Sequence, residues 1–189
     1  MAGPFAEFVK GIRGTDPIVT SDFPQVAFVG RSNVGKSSLI ASITQNRSLV
    51  KVSNKPGKTS EINFFLINKK SYLVDLPGYG YAKVDPKEKE KLRKLIIWYL
   101  TASGAKPKRV VLLLDVKVGI TPFDEEMMAV LREEGHPFVI AANKADKLNQ
   151  KELAAQLRVI REASLGAEVI PTSAIEMDHS GELFQKLFV

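Results

Sequence analysis

Between a short apolar strand (Gln25 to Gly30) and a helical stretch (Lys36 to Gln45), the chain reads Gly30-Arg31-Ser32-Asn33-Val34-Gly35-Lys36-Ser37. This complete G-x-x-x-x-G-K-[ST] pattern, set between strand and helix, leaves few folds open to the chain. Its glycines let successive backbone N–H groups curl around an anion, and the helix N-terminus behind them adds its positive end. A turn that merely joined strand to helix would not need the whole pattern. The anion it suits is a phosphate chain: Lys36 would reach the β- and γ-phosphates, and the Ser37 hydroxyl would ligate Mg²⁺, with Ser38 beside it.

The remaining periodicity predicts an α/β fold. Ile62 to Ile67 and Ser71 to Leu76 read as paired strands turning at Asn68-Lys69-Lys70. Pro86 at a first helical position opens a helix to about Ala102, with Leu92, Leu95, Ile96 and Tyr99 on one face. Arg109 to Asp115 and Phe138 to Ala142 are apolar strands, each followed by a helix (Phe123 to Glu133, Gln150 to Ala163). A last strand spans Glu168 to Thr172, and a closing helix Gly181 to Phe188. Apolar strands alternating with helices argue a mostly parallel, mixed six-stranded sheet covered on both faces. Residues 1–24 have weak periodicity and Pro4, Pro17 and Pro24, so they read as an N-terminal arm before a single domain, 25–189.

The 189 residues include no cysteine, which excludes a disulfide framework, a thiolate metal site and cysteine chemistry. Apolar runs such as Val110 to Leu114 fall far short of the ~20 residues that span a bilayer. Glu7 and Lys10 stand where a signal peptide needs an apolar core, so the expectation is a cytoplasmic protein with no membrane insertion. Net charge is +6, unevenly spread. From Arg47 to Arg109, 15 Lys and Arg face five Asp and Glu, while the rest of the chain is mildly acidic. Such asymmetry suits an anionic partner, nucleic acid above all, although a solvated Lys/Glu helix from Pro86 to Lys94 accounts for part of it.

Two further motifs join the first. Asp75-Leu76-Pro77-Gly78 ends a strand where a carboxylate can hold a water of the Mg²⁺ shell and the Gly78 N–H can sense a γ-phosphate. Asn143-Lys144-Ala145-Asp146 ends another strand at the sheet edge where ligands bind. The Asp146 carboxylate can accept from both N1–H and the 2-amino group of guanine, a donor pair that adenine lacks. Thr172-Ser173-Ala174, after the last strand, would supply backbone contacts to guanine O6. His136 and His179 have no metal-like partners at ligand spacing, and Trp98 and Tyr99 are adjacent on a helix, so at most one faces the core.

The order and wording of these motifs resemble the EngB (YihA or YsxC) family of bacterial ribosome-biogenesis GTPases, within the TrmE–Era–EngA–EngB superfamily. The resemblance covers roughly residues 22–188 and rests on G-R-S-N-V-G-K-S-S (30–38), K-P-G-K-T (55–59), I-N-F-F (62–65) and D-L-P-G-Y-G-Y-A (75–82). It implies a Ras-like G domain of the P-loop NTPase class. Gly57, Lys58 and Thr59 would then form a nucleotide-sensing loop, with the Thr59 hydroxyl joining Ser37 on Mg²⁺. Lys36, Thr59 and Gly78 would carry catalysis.

Many Ras-like GTPases place a glutamine after D-x-x-G to orient the attacking water; this chain has Tyr79, so slow intrinsic hydrolysis is expected. Asn33 occupies the position that binds K⁺ in several relatives, where such a cation could stabilise transition-state charge. A monomeric switch binding GTP and GDP is expected, acting with ribosomal RNA or a large-subunit precursor, with a family-implied role in cell division and septation. Two other readings stand beside it: a P-loop kinase, against which Asn143 to Asp146 speaks, and a non-catalytic nucleic-acid-binding module, which leaves the nucleotide motifs unexplained.

Overall fold

The computed structural model describes residues 4–46, 48–49, 61–80, 85–173 and 180–188. Its central strands are apolar on both sides, and this places them inside a layered sheet. In β2 (Gln25–Gly30), Val26 and Phe28 enter one core and Ala27 and Val29 the other. The same alternation divides β5 (Arg109–Asp115), with Val111 and Leu113 on one side and Val110, Leu112 and Leu114 on the other. Helix α1 (Lys36–Ile43) and helix α5 (Ser180–Phe188) bury Leu39, Ile40, Leu183 and Leu187 against the first face. Helices α2 (Pro86–Thr101), α3 (Pro122–Glu133) and α4 (Gln150–Ser164) cover the second with Ile96, Tyr99, Met127, Leu131, Leu157 and Ile160.

The sheet has seven strands where the sequence predicts six. With β1 (Ala6–Ile12), β3 (Ile62–Ile67), β4 (Ser71–Asp75), β6 (Phe138–Asn143) and β7 (Glu168–Pro171), the order is β1-β3-β4-β2-β5-β6-β7. Only β1/β3 and β3/β4 are antiparallel. The expected hairpin is present, with Asn68 and Lys69 in left-handed conformations at its turn.

The added strand is a correction to the reading of residues 1–24 as an arm, and its cause is a bulge. Ala6 and Phe8 pair with Ile67 and Phe65, which face the first core; the register then shifts between Phe8 and Lys10, and Ile12 pairs with Ile62, which faces the second. One extra residue, Val9, thus moves the apolar set from one face to the other. That breaks the two-residue period in the sequence, although Phe8 packs edge-on to Phe65 with ring centroids 5.6 Å apart. A 3-10 turn (Pro17–Thr20) follows, capped by the Asp16 carboxylate. The ammonium of Lys10, 2.7 Å away, and the Ile18 N–H hold the Asp16 carboxyl below the usual carboxylate range.

The buried Gln25 side chain ties three elements together. It donates to the Val19 carbonyl at 2.7 Å and accepts from the Tyr99 hydroxyl at 2.8 Å. Burial pushes the Tyr99 hydroxyl's pKa up, so it stays a donor. Tyr99→Phe leaves the Gln25 carbonyl without that donor, and we expect a loss of about 1–2 kcal/mol. Urea unfolding should show a lower midpoint with an unchanged slope.

Candidate functional site

The connections from the strands after β2 run to opposite sides of it: β3 and β4 lie on one side, β5 to β7 on the other. The carboxyl end of β2 is therefore the switch point of the sheet, where open α/β folds leave a crevice. The loop after it is shaped by two close approaches. A side chain at Gly30 would stand 3.0 Å from the Leu113 backbone carbonyl oxygen. Gly35 has φ +94°, and a Cβ there would lie 2.3 Å from the Asn143 side-chain nitrogen. Asn33 is also left-handed, at φ 64°. The Ser32 N–H donates to the Tyr79 carbonyl at 2.6 Å, joining this loop to the one after β4.

These loops enclose a cavity of about 450 Å³. Its walls are Arg31, Ser32, Asn33 and Gly35 to Ser38, the run Asp75 to Gly78, and Lys144. Within it Lys36 and Asp75 form an ion pair in which both side chains are about nine-tenths buried. Val34 does not line it: its side chain packs in the core, and only its backbone joins the loop. Among the described residues, no group of three or more His, Cys, Asp or Glu side chains could hold a metal unaided.

The Asn143 motif is tied to the first loop twice. The fully buried Asn143 amide donates to the Val34 carbonyl at 2.8 Å and accepts from the Thr172 hydroxyl at 3.3 Å. Lys144, left-handed at φ 65°, places its ammonium 2.8 Å from the Asn33 carbonyl and 2.6 Å from Asp115. Asp146 accepts from the Ser173 hydroxyl at 2.8 Å and pairs with Lys147 at 3.1 Å. Burial pushes the Asp146 carboxyl up, but Ser173 and Lys147 outweigh it, so it sits below the usual carboxylate range and stays ionised well into acid.

Tyr79 turns away from the cavity. It is 3% exposed, its hydroxyl donates to Asp124 at 2.6 Å, and its ring lies 4.3 Å from that of Phe123. Burial and the Asp124 charge raise its pKa, so it remains a phenol. The other oxygen of Asp124 accepts from the Thr121 N–H at 2.9 Å and hydroxyl at 2.6 Å, capping α3.

The family described as 50S ribosome-binding GTPase matches residues 25–144. A relative described as "Probable GTP-binding protein EngB" from Aquifex aeolicus is 41% identical over 166 residues, or 88% of this chain and 90% of the relative. Another of the same description from Clostridium beijerinckii is 46% identical over 168 residues, 87% of this chain and 84% of the relative. The chain belongs to the EngB family. A crystal structure described as a probable GTP-binding protein engB superposes with a TM-score of 0.75 at 27% identity, covering 87% of this chain and 96% of that one. The EngB chain is thus a GTPase with a Ras-like P-loop fold, which sets aside the kinase and the non-catalytic module.

For this EngB-family chain, the structure brings together every described residue that the motifs single out, in two connected groups. Around the cavity are the first loop, Asp75 to Gly78 and Lys144. Beyond Lys144 lie Asn143, Asp146, Thr172 and Ser173, with the Asn143 and Thr172 side chains bonded to each other rather than turned to a ligand. Gly57, Lys58, Thr59 and Ala174 lie outside the described residues, as does His179. His136 is structural, its ring nitrogen 2.6 Å from the Leu100 carbonyl.

Sequence reasoning missed Glu61 and Asn63, which line the cavity, and Asp115, which holds Lys144. Asp115 left a signal: it ends β5 level with Asn143 of β6. Gly35→Ala tests the tightest contact of the site. It forces both a left-handed alanine, costing about 1–2 kcal/mol, and a clash with Asn143. Thermal unfolding should show a lower Tm, and fluorescent GDP titration a weaker affinity.

Proposed function

We propose that this GTPase is a guanine-nucleotide switch in assembly of the large ribosomal subunit, binding ribosomal RNA when GTP is loaded and leaving after hydrolysis. What carries the reading is the junction of the first loop with the Asn143 motif, since a phosphate cradle braced against a base-reading motif is built for one nucleotide. The first loop, from Gly30 to Ser38, would hold the phosphates. Asp146, kept ionised by Ser173 and Lys147, would accept from guanine.

The Ser37 hydroxyl and the Asp75 carboxylate face the same cavity, which suits a hard cation with oxygen ligands. Ser37 and Thr59 would hold Mg²⁺ directly and Asp75 through a bound water, and the ion would neutralise charge on the β- and γ-phosphate oxygens. Lys36 would move from Asp75 to the phosphates, and the Gly78 N–H would meet the γ-phosphate. With Tyr79 bonded to Asp124, nothing at that position orients a water, so intrinsic hydrolysis is slow. The exposed Asn33 side chain forms no hydrogen bond among the described residues, which leaves its carbonyl oxygen for K⁺.

The ribosomal part rests on the family's description and on the basic stretch from Arg47 to Arg109, which includes Lys51, Lys55 and Lys58 in one proposed sensing loop and Lys83 after the other. If GTP orders those loops, it presents positive charge to phosphodiester backbone. Among the described residues, no helix is long and apolar enough to cross a membrane; a cytoplasmic location and a monomeric state are carried over from the sequence reading. A part in cell division and septation is carried over from the family alone.

Pull-down of ribosomal particles tests the switch. Capture should be strong with a non-hydrolysable GTP analogue and weak with GDP. Asp146→Asn should lose guanine affinity by roughly 10- to 100-fold and capture particles with the xanthosine analogue instead, because its amide matches the xanthine carbonyl. Equal capture in both nucleotide states overturns the switch. For the cation, GTP turnover with Mg²⁺ should rise when K⁺ replaces Na⁺, and Asn33→Ala should erase the difference.

A further inference from the structure

A second cavity, of about 510 Å³, shares no lining residue with the first and lies between α2 and the turn Arg13 to Thr15 that follows β1. We propose that it docks a single-stranded segment of RNA, one base stacking on Trp98 while flanking phosphates meet Arg13, Lys91 and Lys94. The proposal rests on the RNA-partner reading above and specifies where on this chain that partner sits.

Helical geometry makes the surface. Lys87, Lys91, Lys94 and Trp98 are spaced by four, three and four residues, so they form one stripe along α2, while Lys89 falls on the opposite side. Leu92 and Leu95 give the cleft an apolar floor. Tyr99 fills the core, and its neighbour Trp98 is only half-buried, lining the cleft, and its indole makes no hydrogen bond among the described residues. An aromatic face bordered by cations is how single strands are held without reading their sequence: each base has a π-face, and each phosphate a charge.

The cations are available. Lys91, Lys94 and Arg13 are 75%, 72% and 62% exposed, and their partners Glu88, Glu90 and Glu61 stand 3.7, 3.7 and 3.3 Å away. Exposed pairs of this kind are weak and exchange readily for a phosphate. Lys87 has no ion-pair partner among the described residues. Glu88, which also lines the cleft, is the Lys91 partner. An acidic peptide would meet the same lysines but offers Trp98 no flat ring to stack on.

Trp98 is the chain's single tryptophan, so its emission reports the cleft directly. The full chain, loaded with a non-hydrolysable GTP analogue, is titrated with oligoadenylate, with the same strand in a duplex, and with polyglutamate. Single-stranded RNA should quench Trp98, the duplex and polyglutamate should not, and the effect should weaken steeply with salt. With end-labelled RNA, Trp98→Leu should weaken binding about 5- to 100-fold, Trp98→Phe less. The combined Arg13→Ala, Lys91→Ala, Lys94→Ala variant should flatten the salt slope by about two to three. Lys89→Ala should change nothing, and GDP affinity should match the parent in Trp98→Leu, Trp98→Phe and Lys89→Ala.

RNA bound with Trp98 emission unmoved overturns the proposal, as does quenching by polyglutamate equal to that by RNA. If ribosomal particles are captured equally by parent, Trp98→Leu and the triple variant, the cleft is wrong while the RNA partner stands. If the parent binds neither particles nor RNA in any nucleotide state, the RNA-partner reading itself fails.

Discussion

The hydrogen bond from the Asn143 amide to the Val34 carbonyl sets the spacing of the site. It joins two loops that leave different strands, β2 and β6, with β5 between them. Its donor is fully buried, so a broken bond would leave an amide and a carbonyl unpaired out of reach of water, a costly state. The bond is also the reason for glycine at position 35, since the Asn143 nitrogen occupies the space a side chain would need. Lys144 repeats the tie nearer the surface, spanning from Asn33 to Asp115. The first loop and the Asn143 motif, the proposed phosphate and base ends of the site, are thereby held at a fixed separation.

Charge in the cavity is handled in the same economical way. Lys36 and Asp75 are both largely buried and neutralise one another, which avoids the penalty of burying either alone. Three ion pairs beside α2 are looser: those of Arg13, Lys91 and Lys94 lie at the surface, where they hold the side chains only lightly. The contrast separates a buried, mutually neutralised pair from exposed charges that solvent can reach.

Local pattern made much of this legible. The G-x-x-x-x-G-K-S run, the hairpin turning at Asn68 to Lys70 and the all-apolar β5 and β6 each carry their signal within a few residues, and each stands where the sequence implies. β1 escaped because the bulge at Val9 switches its apolar face midway, leaving neither half long enough to show a period. The Tyr79–Asp124 and Lys144–Asp115 bonds escaped for another reason. They join residues 45 and 29 positions apart, and nothing local in the sequence encodes a meeting that only the finished sheet brings about.

The capping of α3 by Asp124 has a mechanical consequence. One carboxylate serves two masters: an oxygen holds the phenol of Tyr79 and the other closes the first turn of the helix. Any shift of the Gly78 loop that carries Tyr79 with it must either break a buried bond or drag the start of α3 along. At the other end of that helix, Arg132 grips the last carbonyls of α4, those of Ala163 and Ser164, at 3.0 Å each. The helix therefore behaves as a connecting rod, coupling the edge where a γ-phosphate would sit to the far end of the domain.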